Sequence, residues 1–356
     1  MKKFGNLFFR PALALVVMML VVAAAMPTSA SAMLALQTYD FNNCSLPGGW
    51  TYEGLTGVTG VSAETVGAFT GDAHLKITLP AGTYATIGSN ANAPRVMTPI
   101  TDTNFEVEAR FLAPQISTTD GFKIEGLVFR DSSQVAALVD PHLRWLRIDF
   151  NSQNGVIESY ISFHLSGPNG TYIGGTLKQI DNGTPLTGFT GNEPILIRVN
   201  YVQTTGAWTV TYTQGSNVDV VPFNETAFES PFAPNSMGIF VANDSDPDTG
   251  LLGHETRVDY IHVSGTTLND DAAVVTVNTV GNGTVTQTAC PSDVTGDVVR
   301  LQAVAGAGDT FAGWSGDASG TTNPLDLTMD GPKTVTATFT EEVELDLFLY
   351  LPTVSK

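Results

Sequence analysis

The chain has 356 residues, enough for two domains or for one large domain with a small one. Charged residues make up only 14%, while glycine (35) and proline (19) are frequent and short runs of Val, Thr, Asn and Ser recur, which is typical of an all-β protein. The formal net charge of −19 disfavours nucleic acid and anionic lipid as partners, and it is compatible with Ca²⁺ and with neutral or cationic ligands.

The first 32 residues predict a secretory signal peptide. Three basic residues precede an apolar run over 12–25, and the small-residue pattern that ends at Ala32 fits cleavage after that residue. A membrane anchor is the alternative, because the apolar run is long for a signal peptide. Cleavage would leave 13 of the 16 basic residues against 35 acidic ones, a charge of −22, on a bacterial protein that is secreted, extracellular or held at the cell surface.

Between residues 34 and 265, short runs in which apolar and polar residues alternate are separated by turns rich in Gly, Asn, Asp and Pro. Examples are 73–80, 104–113, 123–131, 144–151, 158–165, 194–202, 206–213, 236–243 and 255–265. About ten or more strands of this spacing, with no convincing helix between them, predict a two-sheet β-sandwich.

Four segments of this region carry a family resemblance: DFNNCSLPGGW (40–50), FEVEARF (105–111), PILIRVNYVQTTGAWTVTYTQGS (194–216) and RVDYIHVSG (257–265). Together they resemble bacterial members of the concanavalin A-like lectin/glucanase superfamily, in their laminin-G-like or xylosidase-C-terminal-like form. The resemblance implies a jelly-roll sandwich over 34–265, with a glycan or another cell-surface ligand as partner. It also implies a structural Ca²⁺ between the N-terminal and final strands, at Asp40 and Asp259.

A short polar linker, 266–272, precedes a second region, 273–340. There GNGTV, GDVVRLQAVAGAGDTFAGWSGD, NPLDLTMDG and KTVTATF follow one another in an order and spacing that resembles the divergent InlB B-repeat of bacterial secreted and surface proteins. The resemblance implies a small β-rich, β-grasp-like domain that serves as a spacer or adhesion module. The tail, 341–356, predicts a final short strand, and its LPTVS lacks the L-P-x-T-G of a sortase signal.

The stretch FAGWSGDASG (311–320) raises the question of a serine nucleophile at Ser315. A G-x-S-x-G turn needs glycine two residues after the serine, and position 317 is Asp. No histidine follows His262 to serve as the base. We therefore interpret Ser315 as a turn residue beside a core Trp314.

Catalysis by paired carboxylates is also disfavoured. Hydrolytic members of the resembled superfamily carry an E-x-D-x-x-E strand, whereas the comparable segment here holds only Glu106 and Glu108, on a face that we expect to be solvated. The sequence thus favours a secreted, non-catalytic recognition or adhesion protein. An extracellular glycan hydrolase or lyase, with an acid pair assembled by folding, and a structural protein of the cell envelope stay open as alternatives.

The segment NDSDPDTGLLGHE (243–255) is the best candidate for a metal site. Asp244, Asp246, Asp248 and Glu255 have the spacing of EF-hand ligands, which predicts a Ca²⁺ site. Thr249 stands where an EF-hand loop needs glycine, so a solvated turn without metal is the alternative.

Candidate ligand contacts are the tryptophans of the first region, because a flat ring stacks on the apolar face of a sugar. Trp50 and Trp208 fit core positions. Trp145 is expected to reach the surface, and Arg144 and Arg198 could contact hydroxyl or carboxylate groups of a ligand.

The two cysteines, Cys44 and Cys290, lie far apart in the sequence, one in each region. Their separation favours two free or buried thiols, and export permits a disulfide between them as the alternative. Two isolated cysteines cannot form a zinc site.

Overall fold

The computed structural model describes residues 37–70, 72–87, 92–100, 104–132, 143–166, 178–224, 232–243, 251–263 and 274–342. Residues Leu34–Lys356 form one compact unit. The predicted signal peptide, the linker 266–272, the tail from 343 onward and the three aspartates of the predicted Ca²⁺ site lie outside the described residues. Within the described residues, no helix is long and apolar enough to cross a bilayer.

The larger part of the chain is a sandwich of two antiparallel sheets. Its strands are β1 (Gln37–Tyr39), β2 (Thr51–Glu53), β3 (Ser62–Val66), β4 (His74–Leu79), β5 (Arg95–Pro99), β6 (Asn104–Phe111), β7 (Lys123–Asp131), β8 (Leu143–Gln153), β9 (Val156–Ser166), β10 (Lys178–Pro185), β11 (Ile195–Val202), β12 (Ala207–Gln214), β13 (Asn217–Asn224), β14 (Ser236–Ala242) and β15 (His254–Val263). Sheet A has the order β13-β12-β11-β6-β15-β4-β3, with β1 also paired to β15, and sheet B has the order β10-β9-β8-β7-β14-β5-β2. The predicted all-β, two-sheet jelly roll is confirmed.

Burial alternates along several strands of sheet A, such as β6, β11 and β12. Along β12, which reads AWTVTYTQ, every second side chain is buried between the sheets. Trp208 lies there against Tyr201, with ring centroids 4.3 Å apart, and both Trp208 and Trp50 are core residues as predicted. In sheet B, β14 is instead buried along its whole length, and β5 and β7 are nearly so. These central strands are therefore buried on their outward side as well as on the side that faces sheet A.

The C-terminal part consists of two three-stranded sheets. Its strands are β16 (Val275–Val280), β17 (Gly283–Ala289), β18 (Val298–Ala305), β19 (Asp309–Gly316), β20 (Leu325–Thr328) and β21 (Lys333–Glu341). The sheet orders are β16-β21-β19 and β17-β18-β20, and β16 runs parallel to β21. Trp314 is buried as predicted, and its indole N–H donates to the Thr322 carbonyl at 2.8 Å. The predicted small β-rich domain is confirmed.

A turn of the sandwich completes the core of this C-terminal part. Phe69, shortly after β3, is fully buried in a cluster with Trp314 and Phe339. The Phe69 carbonyl accepts a hydrogen bond from the Val275 N–H at 3.3 Å, and the Phe69 N–H donates to the side-chain oxygen of Asn42. The C-terminal domain thus shares its core with the sandwich.

A disulfide joins the same two parts. Cys44 and Cys290 are bonded, with Cα atoms 5.2 Å apart, so the favoured expectation of two free or buried thiols is wrong. The backbone N–H of Cys44 also donates to the carboxylate of Asp297 at 2.9 Å. The C-terminal domain is therefore attached to the sandwich by covalent, apolar and polar contacts.

Candidate functional site

One row of side chains crosses the outward face of sheet B. Residues directly opposed on neighbouring strands point to the same face of a sheet. Phe129 of β7 packs against Phe105 of sheet A, with ring centroids 5.5 Å apart, so the next residue, Arg130, points outward. The register places five residues in the outward row, from β5 to β9: Pro99, Ser236, Arg130, Trp145 and His164.

Two arginines cover the ring of Trp145. The Cζ atom of Arg95 lies 4.7 Å from the ring centroid and that of Arg130 lies 5.3 Å from it, within the range of cation–π attraction. The carboxylate of Glu53 bridges the two guanidinium groups, at 3.1 Å from Arg95 Nη2 and 2.7 Å from Arg130 Nη1. We call these four residues the arginine–tryptophan cluster.

A cleft of about 250 Å³ lies beside the arginine–tryptophan cluster. Its lining combines six polar residues, Thr51, Thr98, Arg130, Ser132, Asn235 and Ser236, with Gly49, Met97 and Pro99. A Cβ atom at Gly238 would lie 2.4 Å from the Met97 sulfur, so glycine there leaves room for the Met97 side chain. The volume is just below the roughly 300–1,000 Å³ of drug-sized ligand sites.

Hydrogen bonds fix the polar groups of the cleft in place. Ser236 Oγ accepts from Arg130 Nε at 3.0 Å, and Asn235 Nδ2 donates to Ser132 Oγ at 2.7 Å. The backbone of Asn235 is held on both sides, because its N–H donates to the Arg130 carbonyl and its carbonyl accepts from the Ile100 N–H, both at 2.9 Å. The cleft is therefore largely preformed.

The three residues predicted to contact a ligand do not come together. Trp145 was expected to reach the surface, and this is wrong: it is 0% exposed, and two arginines lie over its ring. Arg144 is 3% exposed and forms a buried ion pair with Asp131, which leaves it little access to a ligand. Arg198 lies on sheet A, where its side chain is 52% exposed and its Nε donates to Glu108 at 2.8 Å.

Several carboxylates of the sandwich pair with arginines. Asp149 pairs with Arg147 at 2.6 Å, and both side chains are buried on the outward side of sheet B. On sheet A, Glu106 lies 3.7 Å from Arg198 and shares the outward face with Glu108, as predicted. These pairings leave Asp149, Glu106 and Glu108 poorly suited to act as general acid or base.

One pair of carboxyl groups does come close, at the β9–β10 edge of sheet B. Partial burial, and after it the negative charge of Asp181, raises the pKa of Glu158. The Asp181 carboxylate accepts hydrogen bonds from the hydroxyl groups of Ser159 and Thr184. Neither carboxyl group lines the cleft, so the pair is not placed to act on a ligand bound there.

A serine–histidine pair on β9 had no signal in the sequence. Ser162 Oγ and His164 Nε2 lie 2.6 Å apart. Burial, helped by the positive charge of Arg147, lowers the pKa of His164 to about 3. A base that weak cannot activate a serine near neutral pH. Ser315 itself is exposed and lies within β19, so its predicted place in a turn is wrong and the turn begins later.

Of the four predicted Ca²⁺ ligands, one lies within the described residues. Glu255 lies in β15 opposite Thr78, while Asp244, Asp246 and Asp248 fall outside the described residues. Of the two residues implied by the family resemblance, Asp259 pairs with an arginine and Asp40 accepts a bond from a nearby backbone N–H. In the part of the chain that the structure describes, no group of three His, Cys, Asp or Glu residues could hold a metal. The Ca²⁺ site stays a prediction.

Comparison with known protein families identifies the C-terminal domain. Residues 273–343 match the family described as the Divergent InlB B-repeat domain, which confirms the prediction made for 273–340. No curated protein matches the chain.

Solved structures similar to the larger part are jelly-roll proteins. An endo-1,3-beta-glucanase from Streptomyces sioyaensis is 15% identical, with a TM-score of 0.40, over 64% of this chain and 94% of its own. A Bacillus licheniformis beta-glucanase is 10% identical, with a TM-score of 0.39, over 65% and 98%. A legume lectin-like domain from Entamoeba histolytica is 13% identical, with a TM-score of 0.36, over 62% and 91%. At these identities the likeness concerns the fold alone.

Proposed function

We propose that the sandwich binds an extracellular glycan, without cleaving it, in the cleft on the outward face of sheet B. The main support for this proposal is the lining of the cleft, where hydroxyl, amide and guanidinium groups lie beside Met97 and Pro99. Sugar rings present the same mixture of hydroxyl groups and apolar C–H faces, and ligand sites typically combine apolar surface with a few fixed polar groups.

A non-catalytic role is supported by the pairing of the carboxylates. Asp149 is neutralised by Arg147, Glu53 bridges two arginines, and Glu158 and Asp181 lie away from the cleft lining. The predicted signal peptide and the B-repeat favour a place outside a bacterial cell, in secreted or surface-held form. There the B-repeat, which is bonded to the sandwich, would act as a spacer or adhesion module. A protein on a cell surface is the alternative to a glycan as the ligand of the sandwich.

The test is a glycan array with residues 34–356, followed by calorimetry on the best ligand. Thr51→Val, which removes one hydroxyl at constant shape, and Asn235→Ala are expected to weaken binding several-fold, the loss of about 0.5–1.5 kcal/mol per hydrogen bond. Lys76→Ala is the matched control, since Lys76 lies on sheet A and pairs with Glu64. Repeating the titration with Ca²⁺ and with chelator tests the predicted metal site.

Other results of the binding experiment would favour a different site or a different function. Loss of binding in Arg198→Ala alone would move the site to sheet A. Shortened products in chromatography of the incubated ligand would favour a hydrolase or lyase, for which Glu158→Gln is the first variant to examine. Binding to no glycan would contradict the proposal and favour a structural protein of the cell envelope.

A further inference from the structure

We infer that the cleft selects a sugar that carries a carboxylate, that is, a uronic acid, and that Arg130 recognises that group. The inference rests on the proposed glycan binding and deepens it by naming the class of ligand. It depends on the hydrogen bonds, burial and surroundings of one guanidinium group.

One nitrogen of the Arg130 guanidinium group, Nη2, has no hydrogen-bond acceptor among the described residues. Its Nε donates to Ser236 Oγ at 3.0 Å, and its Nη1 donates to the two oxygens of Glu53 at 2.9 and 2.7 Å. Among the described residues, no acceptor lies within hydrogen-bond reach of Arg130 Nη2. The side chain is 21% exposed and lines the cleft. A ligand carboxylate there would receive a charge-assisted hydrogen bond, roughly twice as strong as a neutral one.

The guanidinium group is also held in position before any ligand binds. The Trp145 ring lies on one side of it, and Ser236 and Glu53 fix its Nε and Nη1. Little side-chain entropy would therefore be lost when a ligand binds. Glu53 is shared with Arg95, at 3.1 and 3.3 Å, so one carboxylate faces two guanidinium groups and offsets only part of the Arg130 charge.

The remaining polar groups of the cleft suit the second oxygen of a carboxylate. Thr51 and Ser132 supply hydroxyl groups, and Asn235 supplies an amide, within the same 250 Å³ cleft. A planar carboxylate can accept from one guanidinium N–H and one hydroxyl in a single plane. A neutral hydroxymethyl group at the same place would leave Nη2 with a weaker, uncharged acceptor.

The charge of the whole chain limits the kind of acidic glycan. A net charge of −19 repels polyanions, although at physiological salt this field is screened over about 8 Å. The preferred ligand is therefore a largely neutral oligosaccharide with a single uronic acid. Polyuronates should bind less well per site.

The experiment compares matched pairs of sugars by calorimetry with residues 34–356 in 0.15 M salt. Each oligosaccharide bearing one glucuronic or galacturonic acid is set beside the same oligosaccharide with glucose or galactose, and beside a sulfated analogue. We expect the uronic acid form to bind about tenfold more tightly than the neutral form, because its charge-assisted hydrogen bond to Arg130 is roughly twice as strong as the neutral bond that it replaces. Arg130→Met should abolish that ratio, and Lys76→Met should leave it unchanged.

Arg130→Lys is the second variant, in case Arg130→Met does not fold. It keeps the positive charge but lacks the fork of donors, so it should lower the ratio at least about threefold. Equal binding of acidic and neutral sugars, with Thr51→Val still weakening both, would overturn the inference and leave the proposed function standing. A preference for the sulfated form would also overturn it, and binding of no sugar would overturn both.

Discussion

Replacing Phe69 with alanine should destabilise the C-terminal domain by about 3–5 kcal/mol, the usual cost of removing a fully buried phenylalanine. Phe69 belongs to the sandwich in sequence, yet its ring is 0% exposed within the core around Trp314. Its backbone has a φ of +64°, a conformation that costs a bulky residue about 1–3 kcal/mol. The alanine variant keeps much of that cost and loses the burial that offsets it.

Hydrogen exchange followed by mass spectrometry would measure the effect of Phe69→Ala. Amides of β16 to β21 should lose protection, while those of β7 and β14 in the sandwich should keep it. Val304→Ala is the control in the same domain, because Val304 is 48% exposed on β18 and its truncation should cost less than about 0.5 kcal/mol. Unchanged protection of the C-terminal strands in Phe69→Ala would show that the two parts do not share a core.

Asp131→Leu should lower the stability of the sandwich by about 3–5 kcal/mol, since it removes one partner of a buried ion pair. Asp131 and Arg144 stand directly opposite each other on β7 and β8, and both are almost completely buried. The Asp131 carboxylate also accepts from the Ala233 N–H at 3.0 Å. The variant leaves a buried guanidinium without this carboxylate.

Urea unfolding at neutral pH would test the role of this ion pair. The double variant Asp131→Leu/Arg144→Leu should recover most of the loss, because a well-packed apolar pair often matches a buried ion pair in stability. Lys76→Ala, which breaks a more exposed pair with Glu64, should cost at most about 1 kcal/mol. A double variant as unstable as the single one would mean that the pair itself, not the orphaned charge, stabilises the sandwich.

Much of the fold could be predicted because many strands have a strong period-two pattern. All nine runs given as examples are strands, from β4 to β15. Strand β10, with the sequence KQIDNGTP, was not predicted because Asp, Asn, Gly and Pro favour turns. It pairs with β9 in an irregular register. Edge strand β13 escaped for a related reason, since its alternation is weak and it contains Pro222.

The site was less predictable because its members are distant in sequence. Glu53 meets Arg95 and Arg130 only because β2, β5, β14 and β7 are neighbours in sheet B. Trp145 could be picked out as an aromatic between arginines, but its adjacent Arg144 faces the interior, whereas its actual partners come from other strands. The alternating pattern of a strand divides its residues between the two faces of a sheet. It does not show which face is buried or which strands are neighbours in the sheet.

The most direct test of the central claim is a crystal structure of residues 34–356 with an oligosaccharide that binds in solution. We expect an intact sugar beside Met97, with oxygen atoms about 3 Å from Arg130 Nη2 and from the side chain of Asn235. A sugar on the outward face of sheet A beside Arg198, or a cleaved sugar near Glu158, would show that glycan is not bound in the cleft without cleavage.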